Sequence, residues 1–196
     1  MNTSIHFAPQ IIRESSRGFD KIPLQDEMLS NRELMLVGAI DADVVNSLIA
    51  QLLYLHREDP DAEITVYVNS PGGEIDSGLA LYDVMRGISC PVRMVCTGMA
   101  ASMASVLFVA GDVRDMLPHS RLMLHDPLIS RIGGSALELN AVAEDLMRIR
   151  QAMAEIYSSH SNQSVEEVLA ITAKDTYFTP QKAIECGFAD KIITAF

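Results

Sequence analysis

The chain has 196 residues, 48% of them hydrophobic and 21% charged, enough apolar material for one sizeable core and too patterned for a disordered or fibrous protein. Fifteen basic against 26 acidic residues leave a net charge of −11, a sign that opposes binding to nucleic acid or to an anionic membrane. So apolar a composition, with 11 Met and no Trp, exceeds what a small monomer needs and predicts contacts with other subunits.

Residues 1 to about 33 mix Pro, Gly and charge without clear periodicity, which predicts an N-terminal arm with at most a short helix around Gln25 to Ser30. The opening MNTSIHFAPQIIRESSRG lacks the unbroken apolar core of a signal peptide. The longest apolar run, Met99 to Ala110, is too short to span a bilayer. A cytoplasmic protein is the expectation. From Asp41 to His56 the residues Val44, Val45, Leu48, Leu52, Leu53 and Leu55 recur at helical spacing behind two acidic residues that suit a helix N-terminus.

A β-rich run, ITVYVN (64–69), then ends in Ser70-Pro71-Gly72-Gly73, and Asp76 to Met85 reads as a helix that stops at Gly87. The cycle repeats with a strand at 92–98, a helix from Ala100 to Ala110 and a strand at 121–125. A long amphipathic helix over Ser135 to Ser159 carries Leu137, Val142, Leu146, Ile149, Met153 and Ile156 along one side. Pro180 to Cys186 forms a short helix closed by Gly187, and 190–194 is a last strand. Alternating strands and helices predict an α/β fold with a parallel sheet covered on both faces. Cys90, Cys96 and Cys186 are odd in number and lack CxxC spacing, which predicts reduced thiols rather than a disulfide framework or a zinc knuckle.

In parallel α/β sheets, sites lie where strands end and helices begin, which narrows the search to residues 69–73, 97–105 and 124–128. Ser102 follows Gly98 and a run of small residues, near a helix start where free backbone N–H groups favour a developing anion. A helix cap or a small packing residue is the plain alternative. The flanking Ala101 and Met103, with Ala100 and Ala104 beyond them, rule out the GxSxG elbow. A serine nucleophile needs a base. Of five histidines, His6 lies in the arm, His56 and His160 at helix ends and His119 in a Pro turn. His125 alone closes an apolar strand. Asp126, Asp175 and Asp190 could each orient its imidazole, and spacing does not choose among them. The paired glycines of NSPGG allow a backbone N–H to approach an oxyanion.

VYVNSPGGEIDSGLALYDVM (66–85), TGMAASMASVLFVAG (97–111), LPHSRLMLHDPL (117–128) and YFTPQKAIECGFADKII (177–193) together resemble the Clp protease proteolytic subunit family. The likeness runs from Arg13 to the end of the chain. It implies a crotonase-like fold of stacked ββα repeats with a protruding helical handle at about 135–159, within one protease domain over 21–196. Residues 1–20 would then form a flexible arm at the axial gate. It implies a serine endopeptidase with Ser102 as nucleophile, His125 as base and Asp175 as its orienting carboxylate. The backbone N–H groups of Gly73 and Met103 would form the oxyanion hole, and Glu74 and Ile75 would edge a cleft where substrate adds as a strand. No metal and no cofactor is implied for this chain. Its expected partners are an AAA+ unfoldase of the Clp family, which holds the ATP, unfolded polypeptides, and further copies in two stacked heptameric rings.

The departures from the family pattern are local. The hairpin before Leu117 is shortened to residues 111–115, Asp126 replaces a usual Gln, and Lys174 stands where an Arg is usual. Tyr67 is kept at the apical docking surface, but Thr65 and Gly87 occupy positions where aromatics are common, and residues 22–29 differ from the family's N-terminal segment. These changes keep open an alternative: a partner-dependent paralogue acting mainly as a structural subunit of a mixed-ring barrel. A crotonase-type acyl-CoA enzyme is a weaker rival, because it leaves Ser102, His125 and Asp175 without a joint purpose.

Overall fold

The alternation of apolar strands and amphipathic helices builds an α/β fold in the computed structural model, which describes residues 9–16, 18–129 and 133–195. Strands β1 (Gln10–Ser15) and β2 (Gly18–Pro23) pair as an antiparallel hairpin, and α1 (Leu24–Ser30) follows directly. The segment expected to be an irregular arm is therefore corrected over residues 10–23. Its strands show little apolar alternation because they are almost wholly exposed. Residues 1–8 of the proposed arm lie outside the described residues.

The central sheet takes β3 (Glu33–Ile40), β4 (Ile64–Gly73) and β5 (Val92–Ala101) as parallel neighbours. Helix α2 (Ala42–Glu58) connects the first pair, α3 (Ile75–Gly87) the second, and α4 (Met103–Val109) leaves the end of β5. Asp41 caps α2 by accepting the Val44 N–H at 2.9 Å, as the acidic start predicted. At its other end the Arg32 guanidinium donates to the carbonyl of Leu55 in the last turn and to those of Asp59, Ala62 and Glu63 beyond it, so one side chain ties the helix end to the loop that follows. All seven residues of α4 are buried, which explains the long apolar run Met99 to Ala110. That run is not one helix: its first residues extend β5, and the helix starts only at Met103.

β5 divides its far edge between two partners. Arg93–Cys96 pair with β6 (Val113–Met116), and Met99–Ala101 pair with β7 (Arg121–Leu124), both in parallel. Next come α5 (Ala136–Ser159), α6 (Val165–Thr172), β8 (Thr176–Phe178), α7 (Pro180–Glu185) and β9 (Lys191–Ile192). Among the described residues of this sheet β8 alone runs antiparallel, lying against β7, and β9 closes the edge beside β6. Ser135 and Glu138 cap α5 reciprocally, so the helix begins where the sequence predicted. Only its last third is buried within the chain, through Met153, Ala154 and Tyr157. Leu137 is 84% exposed and Met147 60%. All three cysteines are free, Cys90 and Cys96 fully buried.

Candidate active site

Strand register brings the three predicted junctions together. β5 and β7 run in parallel with Ala101 opposite Met123, so the residues that follow this pair, Ser102 on one strand and Leu124–His125 on the other, emerge side by side. The Ser102 N–H extends this ladder by donating to the Met123 carbonyl at 2.9 Å. β7 and β8 run antiparallel with Leu124 opposite Thr176, and continuing that register sets His125 opposite Asp175. Residues distant in sequence thus meet at one sheet end.

The His125 imidazole Nε2 lies 2.7 Å from Ser102 Oγ, and its Nδ1 lies 3.6 Å from Asp175 Oδ1. The first distance is a hydrogen bond; the second is longer than one. The His125 side chain is largely buried, whereas that of Asp175 is 62% exposed. Of the three carboxylates left open by spacing, Asp126 accepts hydrogen bonds from Arg150 Nε and Thr172 Oγ1, each at 2.7 Å. Asp190 is occupied by Arg114 at 2.6 Å. Asp175 is the one paired with the imidazole.

Ser102 sits at the N-cap position of α4 with φ +54 and ψ −127, a backbone conformation that L-residues seldom adopt. Such strain at a strand-to-helix corner thrusts the side chain out of both elements. Its carbonyl accepts the Ser105 N–H at 2.9 Å and Ser105 Oγ–H at 2.6 Å, and the Tyr157 hydroxyl reaches Ser105 Oγ at 2.5 Å. Tyr157 is fully buried, and this desolvation pushes its phenol well above the ordinary range, so it acts as a neutral donor.

The β-rich run expected to end at Asn69 continues through Ser70-Pro71-Gly72-Gly73, which form the extended end of β4. Gly72 has φ +90, and a Cβ there would lie 2.6 Å from the Ala101 carbonyl oxygen and 2.7 Å from Ser102 Cβ. Gly73 is pressed against β3, where a Cβ would fall 2.0 Å from the Ile40 oxygen, and the Glu74 N–H donates to that same oxygen at 2.8 Å. Both glycines are needed because two backbones pass at contact distance. Met103, first residue of α4, lies where a helix leaves its N–H without an intrahelical acceptor, and its side chain is held against Gly78 of α3.

Sequence reasoning missed three supports of this corner. Ser105 and Tyr157 gave no sign in the apolar pattern, since both are buried at positions that read as core. Arg150 did carry one, a cation that falls on the helical stripe of the apolar residues Leu146, Ile149 and Met153 of α5.

A serine hydroxyl hydrogen-bonded to an imidazole, at the strand ends of an α/β sheet, marks this chain as a peptidase of the serine type. The chain belongs to the Clp protease family, whose model matches residues 16–196. It is similar to the ATP-dependent Clp protease proteolytic subunit of Porphyromonas gingivalis (strain ATCC BAA-308 / W83), with 41% identity over 192 residues, 97% of this chain and 86% of that protein. Among the described residues, no helix is long and apolar enough to cross a membrane.

Proposed function

We propose that this chain is the proteolytic subunit of an ATP-dependent Clp protease, a cytoplasmic serine endopeptidase acting on unfolded polypeptides. The 2.7 Å contact between Ser102 Oγ and His125 Nε2 carries the reading. His125 takes the Ser102 proton as the oxygen attacks the scissile carbonyl, and returns it to the leaving amine when the tetrahedral intermediate collapses to an acyl-enzyme. Water then repeats the sequence and frees the serine. Asp175 orients the imidazole, and the Gly73 and Met103 N–H groups receive the oxyanion, supported by the backbone approach of Gly72 to Ser102 and Met103. Glu74 and Ile75, at the start of α3 beside these glycines, edge the substrate cleft.

The exposed N-terminal two-thirds of α5 is the handle that packs on another copy. Copies assemble as two stacked heptameric rings, residues 1–20 line the axial gate, and an AAA+ unfoldase of the Clp family delivers substrate. A second reading has this chain depend on a paralogous partner in mixed rings, and the 3.6 Å separation of His125 from an exposed Asp175 favours it: the third contact of the triad is open in the single chain.

Labelling with a fluorophosphonate tests the assignment. The isolated protein is expected to be labelled at Ser102 and to cleave a fluorogenic peptide, both abolished by Ser102→Ala. Labelling that persists in that variant overturns the nucleophile. Native mass separates the two readings: a tetradecamer supports autonomy, and a smaller species labelled only after mixing with a paralogue supports the partner-dependent one.

A further inference from the structure

We propose that Asp126 is a positioning residue, a clamp that fixes both His125 and the segment delivering Asp175 against one face of α5; this rests on the proposed triad. Asp126 follows the base directly in sequence. Its Oδ2 accepts from Arg150 Nε at 2.7 Å, its Oδ1 accepts from Thr172 Oγ1 at 2.7 Å, and its N–H donates to the Thr172 carbonyl at 2.8 Å. Thr172 ends α6 and lies three residues before Asp175, so one carboxylate grips the loop after β7 and the loop before β8 together. Arg150 spreads its guanidinium to the Leu169 carbonyl at 3.2 Å, bringing α6 into the same clamp.

The opposite arm of the site hangs on the same helix. Tyr157 lies seven residues after Arg150, two turns along one face of α5, and holds Ser105 and through it the Ser102 carbonyl. Base and nucleophile are therefore both referenced to one rigid element. Their separation of 2.7 Å depends on α5 keeping its place against the sheet.

Energetics distinguish this role from ordinary scaffolding. The Asp126 and Arg150 side chains are 32% and 24% exposed, and a partly solvated ion pair of this kind adds little to global stability. Its worth lies in direction. A residue fixed by two bonds to its carboxylate and one to its main chain holds the His125 backbone, and a shift of about 1 Å in a catalytic group is enough to cost about a hundredfold in rate.

The test compares wild type with Asp126→Asn, Arg150→Met, Arg150→Lys and the double variant Asp126→Asn/Arg150→Met, all in the full chain. The readouts are kcat and KM on a fluorogenic peptide, the fluorophosphonate labelling rate, and the melting temperature. Each of the first two substitutions is expected to lower kcat and labelling at least about tenfold with KM within about twofold, while melting shifts by only a few degrees. Arg150→Lys recovers part of the rate, since it keeps the charge but not the two-pronged geometry. The double variant is no slower than the slower single variant, because both remove one clamp. Wild-type kcat in Asp126→Asn, or losses that multiply in the double variant, overturns the proposal. So does a loss of activity that only tracks unfolding. If Asp126→Asn does not fold, Thr172→Val, which removes one of the three bonds, must show the same kcat loss for the clamp to stand. A wild-type protein that the probe does not label refutes the triad itself, a different failure from any of these.

Discussion

Replacing Gly72 by alanine isolates the close approach of β4 to the Ser102 corner. The new Cβ would lie 2.6 Å from the Ala101 oxygen, 2.7 Å from Ser102 Cβ and 2.9 Å from the Met103 nitrogen. Carbon contacts are comfortable only near about 3.5 Å, so the corner must yield by close to 1 Å. None of the three atoms is the free end of a flexible side chain, so the movement falls on Ser102 itself. The φ of +90 adds about 1–3 kcal/mol of backbone strain for any residue with a Cβ.

Strain and relief together amount to about 3 kcal/mol, and for a chain of this size each kcal/mol lowers the melting temperature by about 2–4 °C. A fall of about 6–12 °C is expected, with a fluorophosphonate labelling rate reduced by about a hundredfold as Oγ leaves its position against His125. Calorimetry and timed labelling on the same preparation read both numbers. Gly72→Ala melting within about 2 °C of wild type and labelled at an undiminished rate would refute the reasoning.

Tyr157→Phe removes the phenol above Ser105 while Ser105 keeps its own bond to Ser102, and is expected to cost about 1 kcal/mol. Ser105→Ala strands a buried hydroxyl and costs about 1–3 kcal/mol, both read from urea midpoints. Arg32→Met releases four carbonyls around the C-terminus of α2, and a loss of about 3 kcal/mol is expected in the same measurement. The His160 imidazole is held below its ordinary value of 6.5, first by burial and then by Arg86 and Arg114. The unfolded chain therefore binds the proton more readily, so stability falls as pH drops below about 6.5. A urea midpoint that declines from pH 7 to 5.5 in wild type and declines less in His160→Gln is the expected outcome.

Much of this architecture was legible in residue order. Helices α2, α3 and α5 follow from apolar periodicity, α2 and α5 with an acidic and a serine cap, and their observed limits fall within about two residues of the expected ones. The missed elements share a physical cause. β3 gives no strand signal in the sequence because it is an edge strand whose exposed face carries Met35 and Val37, so its run of apolar residues has no alternation. β6 carries the fully buried Asp115, neutralised by Arg93 and approached by Lys191, a charge that no core pattern predicts. β8 has only three residues, too few to show a period.

The candidate site divides in the same way. Ser102 before a buried helix and His125 at the end of an apolar strand can be picked out by position along the chain, because strand ends are where a parallel sheet exposes chemistry. The choice among Asp126, Asp175 and Asp190 was not accessible to spacing. That Asp175 is the one beside the imidazole follows from the antiparallel register of β7 and β8, while Arg150 and Thr172 hold Asp126 and Arg114 holds Asp190. Local sequence determines which residues are able to cap, turn and bury. Which distant groups meet is settled by register and by competition among partners, and both exist only once the chain has folded.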